Sequence, residues 1–149
     1  QVAIRDARYK LIASPLRRAN PPAQIYTDNS GVFFIAGTRK DEVAAASPII
    51  QKAYATYHNP PPVELYDLQA DPYEFKNLAN VPKHAAVQKR LHGRLREWQR
   101  DTGDPLADAA APKRYTTEID EAAALKPFLS YRRDKNFRWR YLDWMKPTQ

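Results

Sequence analysis

Few side chains in this 149-residue chain have the types and spacing for chemistry. The three histidines are His58, His84 and His92. His84 and His92 share one predicted helix about two turns apart. Paired metal ligands on a helix normally stand four residues apart, so these two read as ordinary surface or partly buried histidines. His58 precedes an apolar strand pattern, in a loop that could face a partner domain's cleft. Asp67, Asp71 and Glu74 lie close in sequence, and carboxylates suit hard cations. Helix capping already accounts for Asp71 and Glu74, and Asp67 is expected to bond backbone at a strand end. Ser14, Ser30, Ser47 and Ser130 lie outside any Gly-x-Ser-x-Gly context and lack a matching His and Asp order. Only four glycines are present, and none builds a phosphate-cradling loop. With no cysteine, these residues offer no disulfide, thiol nucleophile or thiolate ligand. No catalytic residue and no metal site is assigned.

A second chemical feature is the run Tyr131-Arg132-Arg133-Asp134-Lys135-Asn136-Phe137-Arg138-Trp139-Arg140-Tyr141. Rings interleaved with arginine can stack on bases or sugars and bind phosphates. They can equally hold the tail against a neighbouring surface by cation–π contact, the favoured reading here. The formal charge of +7 and the isoelectric point near 9.7 fit a solvated basic surface. They also fit attraction to a polyanion, whether nucleic acid, anionic membrane or sulfated sugar. At 43% hydrophobic and 28% charged, the composition is that of a soluble globular protein. Its length suffices for one domain burying roughly 68–70% of its unfolded surface. No apolar run approaches membrane-spanning length. The chain opens on Gln1-Val2-Ala3-Ile4, which reads as the inside of a strand and suggests a fragment of a longer protein.

These side chains must be positioned by a small set of elements. Val63, Leu65, Tyr66 and Leu68 place apolar groups on both faces of a strand, which predicts a central one. A helical start follows, with Asp71 as cap, Pro72 at the first position and Glu74 closing a capping box. Asn77 is placed to end that turn, in the left-handed conformation. Val2 and Ile4, then Tyr9 and Leu11, alternate in opposite phase across Asp6-Ala7, which predicts a hairpin over 2–12. Residues 14–24 read as a loop. Two apolar runs about Asp28-Asn29-Ser30-Gly31 suggest a second hairpin or a packed loop.

Residues 40–57 read as two helical pieces, the second starting at Ser47-Pro48. Its buried stripe is predicted as Ile49, Ile50, Ala53, Tyr54 and Tyr57. Residues 83–101 form the clearest helix, with Val87, Leu91, Leu95 and Trp98 on one stripe and Gly103 ending it. Ala107 to Pro112 reads as a linker. The aromatic tail beyond it carries too many large rings for plain disorder.

Glu64-Leu65-Tyr66-Asp67-Leu68, then Asp71-Pro72, Glu74 and Asn77-Leu78, resembles the C-terminal subdomain of the sulfatase family. Upstream, Arg8-Tyr9-Lys10-Leu11-Ile12 resembles another strand of that subdomain. The resemblance covers residues 1–106, the first expected domain; residues 107–149 are expected as a linker and tail packing on this or a missing domain. The style is similar to bacterial sulfatases related to N-sulfoglucosamine sulfohydrolase. The resemblance implies an α+β fold, with an antiparallel sheet of about four strands packed by one long helix. It further implies an N-terminal catalytic domain in the same parent chain. That domain would use a formylglycine, made from Cys or Ser in a Cys/Ser-x-Pro-x-Arg motif, beside a calcium ion. Neither cofactor is expected in this chain, which lacks the motif.

The implied substrate is a sulfated small molecule or glycan. Arg17, Arg18, Arg39, Lys40 and His58 are candidates to rim its cleft, since cations suit sulfate through charge-assisted hydrogen bonds. The matched residues Tyr9, Lys10, Leu11, Glu64, Leu65, Tyr66, Asp67, Leu68, Asp71, Pro72, Glu74 and Asn77 are expected to be structural. By resemblance the parent would be periplasmic, secreted or lysosomal, with no membrane partner. The alternative is a basic module that binds nucleic acid or another polyanion.

Overall fold

The computed structural model describes residues 1–15, 38, 40–125 and 130–144. The elements, in order, are β1 (Val2–Arg5), β2 (Tyr9–Ala13), α1 (Lys40–Ala45), α2 (Pro48–His58) and β3 (Val63–Asp67). Then come α3 (Ala85–Asp101), α4 (Ala111–Ala124) and α5 (Tyr141–Trp144). The fold is α+β, and the chain gathers into two compact units, Gln1–His92 and Gly93–Gln149.

In the first unit, β1 and β2 form the expected hairpin, with Ile4 opposite Leu11 and Arg5 opposite Lys10. Asp6 locks the turn: its carboxylate accepts the backbone N–H of Tyr9 at 2.6 Å and of Arg8 at 2.8 Å. β3 pairs antiparallel with β2, placing Leu65 opposite Leu11 and Glu64 opposite Ile12. Among the described residues the sheet has three strands in the order β1-β2-β3. β3 therefore lies at an edge of this sheet and not at its centre, correcting the central-strand reading.

That edge is closed by one side chain. Asn77 Oδ1 accepts the Leu65 N–H at 3.0 Å, Asn77 Nδ2 donates to the Val63 carbonyl, and the Leu78 N–H reaches the Leu65 carbonyl at 2.7 Å. An edge strand's unpaired backbone groups need such cover. The segment from Leu68 to Asn80 is irregular, so the predicted capping box does not form. Asp71 instead accepts the N–H groups of Phe75 and Lys76 at 3.1 and 2.7 Å, holding a turn. Glu74, not Asn77, has positive φ, at 60°. Its carboxylate turns away from Asp71 to the Lys10 ammonium at 2.8 Å, a partner that local spacing does not reveal.

The sheet's two faces differ. Tyr9, Leu11, Leu65 and Asp67 share one face by alternation, and Leu11 and Leu65 are wholly buried there. The start of α3 is tied to this side: the Tyr9 and His84 rings lie 6.1 Å apart, and Arg90 pairs with Asp6. Leu91 of α3 is likewise fully buried. Of the predicted α3 stripe, Leu91 and Leu95 are core, whereas Trp98 is 54% exposed.

α3 ends as its sequence dictates. Gly103 takes φ 62°, donating to the Arg100 carbonyl, and Asp104 N–H reaches the Gln99 carbonyl at 2.8 Å. These are the two bonds of a Schellman cap.

In the second unit, a 3₁₀ turn at Pro105–Ala107 runs into the stretch read as a linker, whose Ala111 and Pro112 open α4. The aromatic tail packs on α4 through rings: Tyr141 meets Tyr115 edge-on at 5.0 Å, and Tyr131, Phe137 and Trp139 contact one another within 5.3 Å. Two of its arginines are in ion pairs, Arg138 with Asp143 and Arg140 with Glu118 and Glu121. Buried Glu118 also accepts the Tyr141 N–H at 2.8 Å. Among the described residues, the tail is held down by these ring–ring contacts and ion pairs.

Candidate functional site

The second face of the sheet carries Lys10, Ile12, Glu64 and Tyr66, which the strand register places side by side. Over it opens a groove of about 630 Å³. Ile12, Glu64 and Tyr66 contribute to its lining from the sheet. One wall is α2, contributing Pro48, Ile49, Lys52, Ala53 and Tyr57. The opposite wall is the irregular turn, contributing Glu74, Phe75, Lys76 and Asn77.

α2 begins where Ser47 and Pro48 predict. Ser47 is extended at the cap position, and its carbonyl, not its hydroxyl, takes up the first helical N–H groups. The apolar stripe along α2 does not enter a closed core. Ile49 is 50% and Tyr57 42% exposed, and no α2 residue is fully buried. A 3-to-4 spacing identifies an apolar face, but not whether anything covers it.

The acidic groups of the groove have their own partners. The Tyr66 hydroxyl donates a short hydrogen bond to the buried Glu64 carboxylate. Burial, and then this bond, push the Tyr66 phenol well above its ordinary range. Glu74 is neutralised by Lys10. Lys52 and Lys76, one on each wall, are both exposed, and neither ammonium has a partner among the described residues.

Of the sequence-predicted cleft residues, the structure describes Lys40 and His58. Arg17, Arg18 and Arg39 lie outside the described residues. Lys40 opens α1, exposed, and half-buried His58 closes α2 with its ring 6.3 Å from Tyr57. Neither lines the groove. Sequence reasoning missed Lys52 and Lys76; one was hidden in a helix read as core-facing, the other in a segment read as a helix.

Leu11 and Leu65 fill the core, and Lys10, Glu64, Tyr66 and Glu74 form the polar contacts above. Asp67 is buried and grips the Arg8 guanidinium at 2.7 and 3.1 Å. It also accepts N–H groups of Gln69 and Ala70, as expected for a strand end. The Arg8 bond holds the Asp67 carboxyl below its ordinary range. The Leu68 N–H donates to the Arg8 carbonyl, joining the two motifs.

Part of the chain is similar to known proteins. Over 59 residues it is 36% identical to an ulvan-active sulfatase of Formosa agariphila, covering 40% of this chain and 12% of that protein. Over 42 residues it is 45% identical to the human N-sulphoglucosamine sulphohydrolase, covering 28% of this chain and 8% of that one. Part of this chain is sulfatase-related. It spans about a tenth of the length of these curated relatives. No family model and no solved structure matches it. Among the described residues, no three His, Asp or Glu side chains are grouped to hold a metal ion, and no helix is long and apolar enough to cross a membrane.

Proposed function

We propose that this chain is the C-terminal portion of a sulfatase, supporting a catalytic domain that hydrolyses a sulfate ester or sulfamate of a small molecule or glycan. The sulfatase-related stretch carries the reading, together with the way the two resembling motifs fold into one sheet. Formylglycine and calcium would belong to the catalytic domain. This chain has no cysteine and no Ser-x-Pro-x-Arg sequence. The chain would act by packing. Arg17, Arg18, Arg39, Lys40 and His58 remain proposed rim residues for an anionic substrate. By the same reading the parent is periplasmic, secreted or lysosomal.

Peptide mass spectrometry of the natural gene product tests this. A peptide upstream of Gln1 with a Cys/Ser-x-Pro-x-Arg motif, its Cys or Ser converted to formylglycine, is the expected result. A product lacking any such peptide overturns the proposal.

A further inference from the structure

The turn after β3 holds one ring far out of the fold. Tyr73 is 77% exposed, more than any other large apolar side chain among the described residues. Its ring stacks on half-buried Phe75, with centroids 6.0 Å apart and planes 29° from parallel, which fixes one face and presents the other. The backbone beneath is fixed as well. Asp71 accepts the N–H groups of Phe75 and Lys76, and the Glu74 N–H reaches the Asp71 carbonyl at 3.2 Å. Glu74, between the two aromatic residues, takes φ 60°, a conformation that costs energy for any residue with a side chain. Its carboxylate is anchored to the Lys10 ammonium of β2 at 2.8 Å, which holds it there. A strained residue that its surroundings over-determine points to a shape kept for use.

The ring's setting narrows the ligand. Its neighbours in the turn, Asp71, Glu74 and Lys76, are charged. An anchor residue of a protein interface is normally encircled by contacts that exclude water. A single flat ring with a polar rim instead matches a ligand that is apolar on its face and polar round its edge. A pyranose ring is built that way, with C–H groups over the face and hydroxyl or sulfate groups at the edge. The electron-rich face of an aromatic ring attracts such C–H groups.

We infer that Tyr73 is a stacking platform for one pyranose ring of a glycan, held outside the groove. The inference rests on the glycan form of the proposed function and adds a binding residue to it. Lys10 and Glu74 are positioning residues: their ion pair holds the turn that presents the ring.

Hydroxyl-radical footprinting of the natural full-length product, with and without a heparin hexasaccharide, tests it. Tyr73 is labelled in the product alone, and the hexasaccharide lowers that labelling about threefold as the open face leaves water. Tyr73→Phe keeps the face and is protected at the same concentration. Glu74→Gln needs about five times more hexasaccharide, because the turn is no longer held in its binding shape. That variant removes a negative charge, so electrostatics alone would tighten binding of a polyanion. An unlabelled Tyr73 in the product alone shows the ring covered by protein and overturns the inference, as does labelling that the hexasaccharide leaves unchanged. Equal protection of Tyr73 and Tyr57 shows nonspecific coating and also overturns it. Protection lost in Tyr73→Phe assigns a hydroxyl bond and overturns stacking; unchanged or tighter binding by Glu74→Gln overturns the positioning role. The same digest reads formylglycine. Protected Tyr73 in a product without that residue keeps the platform and removes the sulfatase reading, whereas formylglycine with unprotected Tyr73 removes the platform alone.

Discussion

Asn77 does the work of a missing strand. Its side-chain amide accepts from Leu65 and Ala79 and donates to Val63, covering the edge of β3. Asn77→Ala strands the Leu65 N–H without a partner in a buried position. That costs about 1–3 kcal/mol, read by urea unfolding. Asn77→Asp keeps both accepted bonds and loses less; equal losses for the two variants would contradict the assignment.

Asp6 acts through charge as well. Bonds from the Tyr9 N–H, the Arg90 guanidinium and the Arg8 N–H hold its carboxyl below the ordinary range. A depressed folded value means the stabilisation is complete above pH 3.8, the ordinary aspartate value, and is lost as pH falls below it. Asp67 adds in the same direction. Acid titration of thermal stability therefore shows a fall below about pH 4 that is shallower in Asp6→Asn.

At the scale of elements, α3 separates packing from pattern. Leu91 and Trp98 belong to one stripe by spacing, yet Leu91 is fully buried and Trp98 is 54% exposed. Leu91→Ala leaves a cavity and costs roughly 2–5 kcal/mol. Trp98→Ala removes a ring already half in water and costs on the order of 1 kcal/mol. Denaturant midpoints of the two variants check this, and a larger loss for Trp98 would show that its stripe is buried after all. α2 makes the same point in reverse. Of its stripe, Ile49, Ala53 and Tyr57 line the groove, where Ile49 and Tyr57 stay 50% and 42% exposed, whereas Ile50 and Tyr54 are half-buried outside it.

At the scale of the whole molecule, the proposed role is support. Asp67 and Glu74 are taken up in ion pairs, Asp71 in a turn and Glu64 in a tyrosine bond, and the chain contains no thiol. The 149-residue chain is expected to show no hydrolysis of an aryl sulfate such as 4-nitrophenyl sulfate. Turnover by the purified chain, abolished by His58→Ala, would overturn the supporting role.

Much of this could be read directly from sequence, wherever the cause is local. The phase slip at Asp6-Ala7 determined the hairpin, Ser47-Pro48 the start of α2, and Gly103 the end of α3, because turn and cap chemistry acts within a few residues. The α+β class was legible for the same reason. What only the tertiary structure decided depends on partners distant in sequence. Asp71 and Glu74 satisfy the wording of a capping box, yet Lys10 draws Glu74 away and Asn77 is drawn to β3. The apolar stripe of α2 and the two lysines beside it have one-dimensional patterns identical to those of a core helix and a solvated surface. Whether such a face is buried or open depends on what lies across from it, and only the folded chain sets that.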